Sequence, residues 1–133
     1  MNVREIDHVV LRTANERAML DFYTGVLGLV VERELPKIGL IQLRAGRSLL
    51  DLVPVASELG RKGGAAPGDE GHNLDHLCFR IDPFDEAEIR ATLERAGIEA
   101  GPTEQRYGAE GSGPSIYVRD PDGNTVELKG PPA

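Results

Sequence analysis

Ile6-Asp7-His8-Val9-Val10-Leu11-Arg12 returns later in the chain as Leu74-Asp75-His76-Leu77-Cys78-Phe79-Arg80. Both copies read apolar, Asp, His, three apolar positions, Arg. Each opens one half of the chain. Each half also ends on a short apolar segment carrying one acid: Leu49-Leu50-Asp51-Leu52-Val53 in the first, Thr125-Val126-Glu127-Leu128 in the second. The histidines are 68 positions apart and the acids 76, so the second copy carries the longer internal loop. A duplicated unit is the strongest organisational signal in the chain.

Working outward from the first copy, alternation places Ile6, His8, Val10 and Arg12 on one face of a strand and Asp7, Val9 and Leu11 on the other. Met19, Phe22, Tyr23, Val26 and Leu27 then recur at helical spacing, with Asn15 as N-cap and Gly28 as terminator. Strands are expected over 29–35, 38–44 and 48–53, closed by Pro54. Module 1, about 4–55, is therefore β-α-β-β-β. Residues 56–73 are rich in glycine and form a connector, with one short helical turn near Ser57. Module 2, about 74–130, repeats the order. It has a strand from Leu74, a helix capped by Asp82 with Pro83 at its first position, a helix end at Gly97 and a short strand over 98–102. Residues 103–114 read as a loop because of Gly108, Gly111 and Gly113. Strands follow at 115–119 and 125–129, joined by the Asp120-Pro121-Asp122-Gly123-Asn124 turn. The fold class is α+β, with two tandem βαβββ modules in a single domain.

With 133 residues, 40% hydrophobic and 28% charged, the chain has the make-up of one globular domain. The formal charge of −7 argues against a nucleic acid or an anionic membrane as partner. No apolar run reaches the length of a membrane span, and no signal-peptide pattern opens the chain. One cysteine excludes an internal disulfide framework and fits a reducing, cytoplasmic setting. Cys78 reads as a small buried hydrophobe. The His72-x-x-x-His76 spacing falls in the glycine-rich connector rather than on a helix, and Asp120-x-Asp122-Gly123-Asn124 lacks the remaining ligands of a calcium loop.

Two histidines and two carboxylates at equivalent places in two repeats point to a divalent metal site. Alternation sets Asp51 and Glu127 on the face opposite Leu50, Leu52, Val126 and Leu128, which are left to pack beneath helices. Imidazole and carboxylate donors suit Ni, Zn, Fe, Mn or Co, and such a set leaves coordination positions open for substrate.

The chain resembles the vicinal oxygen chelate superfamily, which includes glyoxalase I, extradiol dioxygenases and bleomycin resistance proteins. The resemblance rests on Asp7-His8-Val9, Asp21-Phe22-Tyr23-Thr24-Gly25-Val26-Leu27-Gly28-Leu29, Asp51-Leu52, Leu74-Asp75-His76-Leu77 and Asp120-Pro121-Asp122-Gly123-Asn124-Thr125-Val126-Glu127-Leu128. It implies a cupped, mixed eight-stranded sheet, a homodimer and one divalent metal ion on His8, Asp51, His76 and Glu127. The nearest likeness is to glyoxalase I, on the four ligand positions and on Arg12, although that family usually has glutamate at the position of Asp51. The implied activity is that of a glyoxalase-like lyase or isomerase. It would act on a small substrate with vicinal oxygens through an enediolate, with Glu127 or Asp51 moving the proton. Arg12 and Arg80 would hold an anionic end of the substrate. The 106–115 segment would close over it, presenting Arg106, Tyr107, Ser112 and Ser115. Two alternatives remain. One is an Fe(II)-dependent extradiol-type dioxygenase on His8, His76 and Glu127; the other is a non-catalytic drug- or metabolite-binding resistance protein.

Overall fold

The computed structural model describes residues 1–72 and 74–133. Asn73, at the end of the expected connector, lies outside the described residues. The chain divides into two compact units, Met1–Gly71 and His72–Ala133. Each is a βαβββ module built on its own four-stranded mixed sheet.

In the first unit the strands are β1 (His8–Thr13), β2 (Val30–Leu35), β3 (Leu40–Ala45) and β4 (Ser48–Pro54), in the order β1-β4-β3-β2. β1 runs parallel to β4, and the other pairings are antiparallel. The parallel pair needs a crossover, which the helical segment supplies. That segment begins as α1 (Glu16–Leu20) and widens into a π-helical stretch, Asp21–Val26. Thr24 Oγ1 donates 2.6 Å to the Leu20 carbonyl, a back-bond that competes with the regular ladder at the point where it widens. Gly28, at φ 80°, ends the segment; the Leu29 N–H reaches the Tyr23 carbonyl at 2.9 Å and the Gly28 N–H reaches Thr24 at 3.1 Å.

Met19, Phe22 and Tyr23, spaced i, i+3, i+4, are buried, and the two rings meet edge to face at 5.0 Å. Below them lie Leu11, Ile41, Leu43, Leu50 and Leu52, all buried. Fully burying one such leucine stabilises the fold by about 1.5–3 kcal/mol. β4 is central, and Leu50, Asp51, Leu52 and Val53 are buried in succession. α2 (Glu58–Arg61) follows, capped by Ser57 Oγ, which accepts from the Gly60 N–H at 3.0 Å.

The second unit repeats the order with β5 (His76–Arg80), β6 (Glu104–Gly108), β7 (Gly111–Arg119) and β8 (Thr125–Lys129), arranged β5-β8-β7-β6 with β5 parallel to β8. Ile116, Val118, Val126 and Leu128 form its buried layer, joined by Leu93 of α3 (Glu86–Arg95).

The second unit departs from the expected elements in three places. The helix starts later than Asp82: Asp85 is the N-cap, its carboxylate accepting from the Glu88 N–H at 3.1 Å. Residues 98–102 form no strand; the Gly101 N–H ties the segment to the sheet by donating to the Tyr117 carbonyl at 2.9 Å. The 103–114 segment is a paired hairpin rather than a loop, with Glu104 opposite Ser115 and Gly108 opposite Gly111. Its glycines answer to close approach, not to looseness. A Cβ on Gly113 would meet the Pro131 carbonyl oxygen at 2.3 Å, and one on Gly108 would meet the Lys129 side chain at 2.7 Å.

Candidate functional site

Register decides what can meet on each sheet face. His8 pairs with Leu49 and Val10 with Asp51. In the second unit His76 pairs with Thr125 and Cys78 with Glu127. Each histidine therefore sits one diagonal step from its acid on the same face, with identical register in the two repeats.

In the second unit that step closes into contact. His76 Nε2 lies 3.2 Å from Glu127 Oε2, and Glu127 is buried. The other carboxylate oxygen, Oε1, accepts from Ser115 Oγ at 2.6 Å. Arg106 Nη1 donates to Ser115 Oγ at 3.1 Å and to its carbonyl at 3.0 Å. The Arg106 guanidinium also stacks over the Tyr117 ring at 4.1 Å, while Glu104 takes its other arm at 2.7 Å. Tyr117 lies directly across from Glu127 and packs against His76, centroids 5.7 Å apart.

The first unit builds the same chain from different residues. Gln42, opposite Asp51 on β3, donates from Nε2 to Asp51 Oδ2 at 3.0 Å. Arg33 Nε in turn donates to Gln42 Oε1 at 2.5 Å. Asp51 is buried, and its Oδ1 has no hydrogen-bond partner among the described residues. A buried carboxylate oxygen left without a donor is costly, and a divalent cation is a group that would satisfy it. Aspartate is one methylene shorter than glutamate, and no ion pair joins Asp51 to His8 among the described residues.

Each histidine is also oriented. Asp7 Oδ1 lies 2.7 Å from His8 Nδ1, and Asp75 Oδ2 lies 2.7 Å from His76 Nδ1. Occupying Nδ1 leaves Nε2 as the outward donor atom, the arrangement that orients a metal-binding imidazole. The Asp7 hydrogen bond is the main cause of the raised pKa of His8; burial opposes it, and the Asp51 charge adds to it. Among the described residues no group of three or more His, Cys, Asp or Glu side chains gathers at one point. Each unit offers a pair, and the chemistry of both pairs fits a divalent cation.

Several other expected residues stand elsewhere. The Arg12 guanidinium is turned to the connector: it donates to the Gly60 carbonyl twice, at 2.8 and 3.2 Å, to Gly64 at 2.7 Å and to Ala65 at 3.0 Å. Four of its five N–H donors hold the connector. Gly63 passes so close that a Cβ there would lie 2.3 Å from Arg12 Nε. Tyr107 and Ser112 are paired across β6 and β7 and alternate away from the Glu127 face; both are exposed. Ser115 and Arg106 do lie on that face. Arg80 is there too, in an ion pair with Glu110. Cys78 is exposed rather than buried, because it occupies the open face of β5. Its sulfur is still partly desolvated, and that burial, followed by the neighbouring Glu127 charge, pushes the thiol up to about 11, so it stays protonated.

Gln42, Arg33, Tyr117 and Lys129 escaped the sequence reading. The first three come from β2, β3 and β7, and only the strand register reveals them. Alternation already sets Lys129 on the face of Glu127, but only the folded structure shows its side chain buried. Among the described residues no helix is long and apolar enough to cross a membrane.

Comparison with known proteins agrees with this architecture. The chain is 33% identical over 138 residues to the glyoxalase domain-containing protein RDO1 of Mycosarcoma maydis, covering 96% of this chain and 69% of that protein. A solved protein from the mobile metagenome of V. Pseudocholerae superposes with a TM-score of 0.82 at 28% identity, over 100% of this chain and 98% of that one. The lactoylglutathione lyase of Agrobacterium tumefaciens superposes with a TM-score of 0.69 at 25% identity, over 98% and 96% of the two chains. The family model of the glyoxalase/bleomycin resistance protein/dioxygenase superfamily matches residues 5–128, both repeats together with their histidine–carboxylate pairs, and the chain belongs to that superfamily.

Proposed function

We propose that the protein is a divalent-metal-dependent, glyoxalase-like lyase or isomerase acting on a small substrate with vicinal oxygens. The observation that carries the reading is the buried acid beside a histidine at the same register in both repeats, with Asp51 Oδ1 lacking any donor. His8, Asp51, His76 and Glu127 would hold the ion. A bound divalent cation supplies Lewis acidity toward the two substrate oxygens and makes the adjacent C–H more acidic.

The chain's own groups do the rest. Glu127 is the proton carrier, its Oε1 fixed by Ser115 and its Oε2 turned to His76. Ser115 is steadied by Arg106, so the carboxylate is positioned before substrate arrives. Tyr117 forms an apolar wall beside His76. Arg80 offers positive charge at the far end of β5 once Glu110 is displaced. Homodimer formation is part of the reading, supported by the exposed apolar side chains Ile6, Val10 and Val30 in the first unit.

The shorter reach of Asp51 favours one second reading. If it does not ligate, His8, His76 and Glu127 form a two-histidine, one-carboxylate set, which suits an Fe(II) dioxygenase.

Elemental analysis of purified protein, paired with turnover of the methylglyoxal–glutathione hemithioacetal, tests both. Nickel or zinc with lyase turnover is expected. Iron with cleavage of a catechol would replace the first reading by the second. Absence of metal at every divalent ion tried would overturn both.

A further inference from the structure

Lys129 stands two residues beyond Glu127 on β8 and on the same sheet face. It is only 4% exposed, and its Nζ has no hydrogen-bond partner among the described residues. Unpaired ammonium groups are among the least tolerated buried features in proteins, since desolvation penalises the charge without an offsetting partner. The neighbouring backbone is shaped to receive the side chain: Gly108 leaves room that a Cβ would fill at 2.7 Å from Lys129 Cε. Directly across the β5–β8 pair is Arg80. Both side chains run to the same hairpin, Lys129 to Gly108 and Arg80 to Glu110 at its tip, so two cations converge on this end of the face. Among the described residues Arg80 has an anionic partner, Glu110 from the hairpin tip, and Lys129 has none.

We propose that Lys129 and Arg80 form an oxyanion subsite, taking a carboxylate or similar anionic oxygen group of the substrate. Glu110 acts there as an internal competitor: it neutralises Arg80 until that group displaces it. This rests on the reading that the Glu127 face binds substrate, and it adds the charge that the substrate must carry. It also replaces Arg12 as an anion clamp, since the Arg12 donors are held by the connector. The acidic net charge of the chain is no obstacle, because the two cations act locally.

The test uses whole protein stripped of metal by chelation, so that it stands apart from the metal centre. Malonate is titrated calorimetrically against chloride at matched ionic strength. Saturable malonate binding is expected in the wild type. Lys129→Met should weaken it roughly tenfold or more, the loss of one charge-assisted hydrogen bond. Glu110→Gln, an exposed change that leaves the fold intact, should tighten it roughly threefold by removing the competitor. Malonate binding no better than chloride, or equal binding by wild type and Glu110→Gln, would overturn the proposal. A negative elemental analysis would sink the metal reading and leave this titration unaffected.

Discussion

Ser115 Oγ donates a 2.6 Å hydrogen bond to Glu127 Oε1, and both residues are buried. The bond leaves Oε2 facing His76. One short side chain thus sets which carboxylate oxygen is available for chemistry. Ser115→Ala would leave a buried carboxylate oxygen without its donor, costing about 1–3 kcal/mol of stability. Metal affinity should fall roughly 10–100-fold, as for other lost partners behind a ligand. Urea denaturation and a competitive zinc titration measure the two effects. An unchanged affinity would mean that Ser115 supports only the fold.

Gln42 plays the matching part for Asp51. Gln42→Leu removes the one donor to Oδ2 while Oδ1 already has none. Metal-free protein should be destabilised by about 1–3 kcal/mol. Saturating metal should recover much of that loss, because ligand that binds only the native state stabilises it. Thermal midpoints with and without zinc decide it: a deficit equal in both conditions would show that no cation reaches Asp51.

The duplicated histidine phrase and the terminal acids were legible because alternation and repeat spacing are local properties. They gave the βαβββ order and placed His8, His76, Asp51 and Glu127 on the open sheet faces. The β6–β7 hairpin was not legible. Gly108 and Gly113 signal a loop in the sequence alone, yet each is small because Lys129 or the backbone at Pro131 passes over it. Arg12 was equally opaque. Its acceptors are carbonyls about fifty residues away, and no side-chain pattern encodes a backbone acceptor.

Gly113→Ala forces a methyl against the Pro131 carbonyl and should cost about 1–3 kcal/mol, an overpacking penalty against backbone that cannot swing aside. Gly68→Ala, with nothing within 4 Å and no positive φ, should change stability by less than about 0.5 kcal/mol. Equal denaturation midpoints for the two variants would show that Gly113 is not under close approach.

Glu86 has a lowered pKa, caused first by its hydrogen bond from Thr103 and then by Arg90. A depressed carboxylate contributes stability that is present above its ordinary value near 4.5 and is lost as the pH falls through the folded value. Thr103→Val should raise the Glu86 pKa toward 4.5 and flatten that acid dependence. Carboxyl NMR titration of both proteins reads it directly; no upward movement would assign the shift to Arg90 alone.

Asp51 is the residue on which the choice of chemistry turns. Glu127 reaches within 3.2 Å of His76 Nε2 across one diagonal of the β5–β8 pair. Asp51 occupies the same diagonal against His8, one methylene shorter, and influences His8 through charge rather than contact. Asp51→Glu supplies the missing reach in a register already identical to that of the second repeat. If the four-ligand centre is the working one, this variant should bind nickel or zinc about tenfold more tightly, the worth of one improved charge-assisted contact, and keep or raise lyase turnover. If the three-ligand set is the working one, the added carboxylate occupies a position that substrate needs. Metal content would then rise while turnover of any substrate falls. Competitive metal titration and steady-state kinetics on one preparation separate the two, because affinity rises in both cases and only the rate changes sign.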